Sequence, residues 1–276
     1  MKKIFLFLMI SIATFAAQAQ VKMPALSPVQ TIKQEFGMGS IELKYARPSA
    51  RGRKVFGEVV SLNEMWRTGA NAATQIRFSD PVEINGKKID TGNYAFYTIP
   101  GKESWEIIIN KGTSNWGLDG YKKEEDVLRF FAAVNKLKKP VETFTISFEN
   151  MTTDHCDMHL SWDKMDVAFT IATDNRPKMK AQIEAALQLE KKPYYQAAQY
   201  YNEYETNLPL ALEMIDKAIE SNKTAYWMML YKAKIQLKMG DKAGAFQTSK
   251  LSEAAAEAQG NKDYIKMNKA FQDTIK

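Results

Sequence analysis

Between Asp174 and Pro177 the spacing of apolar residues changes, and no single secondary structure can serve both sides of that change. Before it, apolar side chains recur at every second position, as on one face of a strand. After it they recur at every third or fourth position, as on one face of a helix. The chain is therefore expected to be α+β. An antiparallel β-sandwich or barrel over residues 20–174 should precede an all-α segment over 175–276.

The β reading rests on particular runs. In "SIELKYA", Ile41, Leu43 and Tyr45 point one way while Glu42 and Lys44 point the other. "QTIKQEF" and "TQIRFSD" alternate in the same manner. Asn85-Gly86 within "VEINGKKID" is a strong hairpin signal, because both residues tolerate positive φ. "NYAFYTI", "SWEIIIN", "LRFFAAV", "ETFTISFE", "HCDMHLSW" and "DVAFTIA" follow, for about ten short strands with turns between them. No helix-length pattern separates these runs, which argues against a parallel βαβ sheet.

Pro177 fits the first turn of a helix with Asp174 or Asn175 as its cap. Met179, Ile183, Ala186 and Leu187 continue at helical spacing. "YYQAAQYYNEYE", "LPLALEMIDKAIESN", "AYWMMLYKAKIQLKMG" and "KAGAFQTSKLSEAAAEAQG" read as further helices, the last two ending at Gly240 and Gly260. Ala211 and Ala245 are 34 residues apart, as are Tyr195 and Met229. That period is the one of tetratricopeptide helical hairpins, and about two units fit. Two units bury little core alone, so a further surface, either the β half or a protein partner, is expected to pack against them.

"YARPSARGRKVFGEVV", "MWRTGANAATQIRFS", "INGKKIDTGNYAFYTIPG" and "WEIIINKGTSNWG" resemble the signature segments of the domain of unknown function 2911 family, over Ala25 to Ile171. The resemblance implies an exported bacterial β domain, often followed by helical repeats. It implies no catalytic or binding residues.

Compartment is read from the first residues. "MKK", an apolar run from Ile4 to Ala17 and Ala17-Gln18-Ala19 form a signal peptide, with cleavage expected between Ala19 and Gln20. The apolar run is shorter than the roughly 20 residues that span a bilayer. No transmembrane segment is expected in the mature chain, which is placed in the periplasm or outside the cell. Removing 19 of 276 residues leaves 257, ample for two units. Loss of Lys2 and Lys3 reduces the formal charge from +6 to +4. Charges of both signs are interspersed, so no nucleic-acid-binding face is indicated. Cys156 is the single cysteine, which leaves the fold without an intrachain disulfide.

"MWRTGANAAT" has the vocabulary of a binding loop. Trp66 offers a stacking face and Arg67 a forked donor. Thr68, Gly69 and Asn71 suit a tight turn with free N–H groups. Arg47 and Arg53 cluster around Gly52, and together the two loops would make an anion site. In the alternative reading Trp66 packs beneath a loop and Arg67 pairs with Asp80 or Glu83. Trp116, in the Gly-rich "WGLDGY", is a further binding candidate.

His155, Asp157 and His159 share one strand face and are weak candidates for a metal; the solvated outer face of a strand is the other reading. Asp119, Glu124, Glu125 and Asp126 read as a solvated charge run. No G-x-S-x-G elbow, phosphate loop or dinucleotide fingerprint occurs, and no cofactor is implied. Two functions fit. One is an exported binding or interaction module, with β-domain loops for a small anionic or sugar ligand and helices for a protein or peptide partner. The other is a periplasmic hydrolase of a carbohydrate or acyl substrate.

Overall fold

A computed structural model describes residues 23–275, so the expected signal segment Met1–Ala19 lies outside the described residues. Nine strands come first: β1 (Val29–Phe36), β2 (Gly39–Ala46), β3 (Thr74–Phe78), β4 (Val82–Ile84), β5 (Lys87–Ile89), β6 (Gly92–Pro100), β7 (Ser104–Asn110), β8 (Asp126–Glu149) and β9 (His155–Ala172). Six helices follow: α1 (Arg176–Ala186), α2 (Tyr194–Glu203), α3 (Leu208–Ser221), α4 (Tyr226–Lys238), α5 (Lys242–Ala258) and α6 (Lys262–Asp273). The contacts divide the chain into a unit holding most of the sheet, up to Ile171, and a unit from Ala172 onward that also takes in 36–38 and 152–155.

The strands form one antiparallel sheet in the order β1-β2-β3-β6-β7-β8-β9-β4-β5. Asn85 (φ 51) and Gly86 (φ 73) make the expected two-residue turn between β4 and β5. Two pairs of expected strands prove to be single long ones. "LRFFAAV" and "ETFTISFE" are parts of the 24-residue β8, and "HCDMHLSW" and "DVAFTIA" parts of the 18-residue β9. The stretch from Lys136 to Pro140 resembled a connection because it is polar and holds a proline. It bends the strand: the β8–β9 register slips between Lys136 and Val141, and opposite Val141 stands Asp163 at φ 49.

The bend brings the second half of β8 beside the chain that leaves β2. Ser49 bridges Thr143, the Ala50 N–H donates to the Glu142 carbonyl at 2.8 Å, and the Phe144 N–H donates to the Pro48 carbonyl at 2.8 Å. One sheet thus wraps around its main core, and Ala73, Ala95, Tyr97 and Ile108 form a separate, smaller cluster. Ile41, Leu43, Ile76 and Phe78 are buried by the alternation read from the sequence, and Cys156, Met158, Leu160 and Trp162 supply a fully buried stripe from β9. Each such side chain contributes about 1.5–3 kcal/mol.

In the helical unit, the side chains of Asn207 and Asp241 accept from the N–H groups of Leu210 and Gly244 and so cap α3 and α5. These caps are 34 residues apart (241 − 207), as are the fully buried Ala211 and Ala245. At the start of α1 the Asp174 carboxylate, one of the two expected caps, accepts from Arg176 N–H at 3.1 Å, while the Asn175 side chain makes no capping bond. The tyrosines of α2 pack inward, with Tyr200 and Tyr201 in a core with Ala197, Ala211 and Ile215. Among the described residues no helix is long and apolar enough to cross a membrane.

Candidate functional site

The stretch from Trp66 to Thr74 is a loop closed on itself. Trp66 and Thr98 exchange two backbone hydrogen bonds of 2.7 and 3.0 Å, so Trp66 fills the side of β6 that β3 leaves open. The Thr74 N–H reaches the Arg67 carbonyl at 3.1 Å, and its hydroxyl donates to the Thr68 carbonyl at 2.6 Å. Gly69 is held where a Cβ would stand 2.9 Å from the Ala46 carbonyl oxygen, so only glycine fits.

This geometry separates the two tryptophans picked out by the sequence. Trp66 is buried, stacked on Trp162 at 5.9 Å, 4.9 Å from Phe144, and donating from Nε1 to the Gly69 carbonyl. Thr68 is equally buried, its hydroxyl 3.0 Å from that of Thr98. Both hold the loop from within. Trp116, by contrast, is 65% exposed. Along with Asn71 it lines a cleft of about 310 Å³ on the outer face of the sheet. Ala70, Ala72 and Ala73 form the cleft's loop side, Val29, Lys44 and Gln75 its strand side.

Arg67 lies between these parts. Its Nη1 donates to the Asn71 carbonyl at 2.9 Å, and a Cβ on Gly117 would stand 2.9 Å from that same nitrogen. The guanidinium therefore ties the Asn71 turn to the Trp116 turn, in place of the expected pairing with Asp80 or Glu83. The other arginines do not converge here. Arg47 donates to the Phe144 carbonyl and the Thr145 hydroxyl, and Arg53 to the carbonyls of Ala50 and Ser49.

A second depression, of about 390 Å³, shares Lys44 and Gln75 with the first and continues along the strands to Glu42, Arg77 and Asn93. Register explains the grouping: Lys44 faces Gln75, Glu42 faces Arg77, and Arg77 faces Asn93. Glu42 lies between two cations, 3.5 Å from Lys33 and 3.8 Å from Arg77. The Gln75 amide donates to the Thr113 carbonyl at 2.7 Å, which leaves its carbonyl oxygen as an acceptor.

A polar cluster that sequence reasoning missed holds the Trp116 loop. Arg129 donates to Asp126 at 2.6 Å, to Glu106 at 2.9 Å and to the Tyr121 hydroxyl at 2.6 Å. Tyr121 donates to Asp126, and the Asn110 amide donates to Asp126 and to the Lys122 carbonyl. Asn115 donates to the Tyr97 hydroxyl at 3.0 Å. Burial opposes the Arg129 charge, but the bonds to Asp126, Glu106 and Tyr121 outweigh it and raise the guanidinium pKa. Burial also raises the phenol pKa values of Tyr97 and Tyr121. Asp126 thus leaves the expected solvated run and becomes the hub of the clamp, its side chain 8% exposed. The available signal was alternation: Arg129 and Glu106 occupy outward positions of adjacent strands.

The histidine strand offers no such convergence. His155 bonds to Thr152 and Asp154, Asp157 accepts from Asn150 and Thr170, and His159 is 3.1 Å from Asp166. Among the described residues no group of three or more such side chains is placed to hold a metal ion. Burial pushes the Cys156 thiol up to about 11.

Compared with known families, residues 27–171 match the family model described as protein of unknown function (DUF2911). No curated protein matches the chain.

Proposed function

The chain belongs to the DUF2911 family of proteins of unknown function, and we propose that its β unit is a ligand-binding module whose site is the cleft beneath Trp116. The observation that carries this reading is the contrast between the tryptophans. Trp66, Trp105 and Trp162 are packed in the core, whereas Trp116 stands 65% exposed on a loop clamped from below. A large apolar ring held rigid in water loses little freedom when a ligand stacks on it.

Binding is favoured over hydrolysis by what lines the cleft. Its single charged lining residue is Lys44, and the one carboxylate of the adjoining depression, Glu42, is engaged by Lys33 and Arg77. General acid–base cleavage needs two titratable groups converging on one bond. We infer further that the chain is exported, on the strength of the Met1–Ala19 segment. Helices built as hairpins suit docking to a protein or peptide partner.

The test is ligand-detected NMR of the purified protein against a mixed library of small sugars, carboxylates and aromatics, repeated on Trp116→Ala. Hits that vanish in the variant, with its melting temperature unchanged, are the expected result. Hits unaffected by the variant, or their complete absence, would overturn the reading.

A further inference from the structure

We propose that the two depressions act as one trough for a linear, uncharged glycan, with Trp116 stacking on a sugar ring at one end and Arg77 and Asn93 bonding hydroxyls at the other. The assignment rests on the Trp116 cleft being a ligand site and adds the class of ligand.

Continuity is the first support. Lys44 and Gln75 line both depressions, so the two adjoin along the sheet. From Ala73 to Arg77 the trough follows strand β3 for about 13 Å, at about 3.3 Å per residue. That length suits a chain of rings better than one small molecule.

Chemistry is the second. Gln75, Asn71 and Asn93 carry amides, which both donate and accept. Hydroxyl groups do the same, and a sugar ring presents them around its edge with C–H groups on its faces. The exposed indole of Trp116 matches such a face, and the amides match such an edge. The Gln75 amide is already oriented by its bond to Thr113, so its free oxygen awaits a donor.

Charge is the third. Glu42 stands between Lys33 and Arg77 and partly offsets their charge at the far end of the trough. A strongly anionic chain would meet the Glu42 carboxylate or have to displace it from its cations, whereas a neutral chain leaves both pairs in place.

The experiment is isothermal titration of the purified full chain with cellobiose, cellohexaose, chitohexaose and, as the anionic comparison, hexagalacturonate. Cellohexaose or chitohexaose is expected to bind at least several-fold tighter than cellobiose and tighter than hexagalacturonate. Trp116→Ala should weaken the hexasaccharide roughly tenfold or more, the size of a lost stacking contact. Arg77→Ala should weaken the hexasaccharide and leave cellobiose unchanged. Both side chains are exposed, and unchanged melting temperatures will show that the variants fold. If neither neutral hexasaccharide binds, or hexagalacturonate binds better, the glycan assignment is overturned. Small-molecule hits that still depend on Trp116 would leave the ligand site standing. If no ligand of any kind depends on Trp116, both conclusions fall.

Discussion

Two aromatic residues show how one residue type serves different ends. Tyr45 is 2% exposed, packs edge-on against Phe144 and accepts at its hydroxyl from the Ile146 N–H at 2.9 Å. That bond helps fasten β2 to the far half of β8. Tyr45→Phe keeps the ring and strands a buried N–H, so it is expected to cost about 1–3 kcal/mol in denaturant unfolding. No loss of stability would show that the strands are held elsewhere. The burial of Tyr45 was legible from the alternation of "SIELKYA". Its partner was not, because Ile146 is 101 residues away. Trp66 carries the same lesson. Its neighbourhood read as site or as core, and only the wrapping of the sheet puts it against Trp162 while leaving Trp116 in water.

The helical hairpins carry their own signature in the turns. Thr206 (φ 55) and Gly240 (φ 88) precede the caps Asn207 and Asp241, and both pairs are 34 residues apart. Thr206 thus holds a left-handed turn that its counterpart makes with glycine. A left-handed conformation costs a non-glycine residue about 1–2 kcal/mol, against about 0.5–1 kcal/mol for the added freedom of glycine when unfolded. Thr206 is exposed and loses no packing. Thr206→Gly is therefore expected to raise thermal stability slightly, by up to about 1 kcal/mol. A lower melting temperature would contradict the equivalence of the two turns. Helices α1 to α5 were legible from their periodicity; α6 was not. The residues it buries are Asn268 and Gln272, bonded to Ser249, Ser252 and Glu253 of α5, so its inner face shows no apolar stripe. Its cap, Asn261, was the remaining signal. The long strands β8 and β9 escaped for the opposite reason: polar bends within a strand look like its ends.

The change of period near Asp174 correctly divides a nine-stranded sheet from six helices. The trough was out of reach, because its residues come from five stretches of chain that only the folded sheet and its loops bring together. The folded chain as a whole should also have a definite pH range. Burial, then Glu205, pushes the Tyr200 phenol up to about 12, and burial raises Tyr45 and Tyr97 as well. A phenol with a raised folded pKa stabilises the fold fully below about pH 10, where the unfolded chain begins to ionise, and that stability is lost as pH climbs further. Bonds to Lys180 and Lys250 hold the carboxyls of Glu205 and Glu253 below the usual range. Their stabilisation is present above about pH 4.5 and disappears as acid protonates them. Melting temperatures across pH should form a plateau from about 5 to 9 and fall on both sides; a steady slope through neutrality would contradict this balance.

In the β unit one tryptophan, Trp116, stands in water while three others are packed. Acrylamide quenching of tryptophan emission in Trp116→Phe and Trp66→Phe probes that arrangement without any ligand. Trp116→Phe should remove most of the readily quenched emission and leave the melting temperature in place, whereas Trp66→Phe should lower the melting temperature and leave the quenched fraction intact. If instead Trp116→Phe left quenching unchanged, the open indole over the cleft, and the binding site built on it, would be refuted.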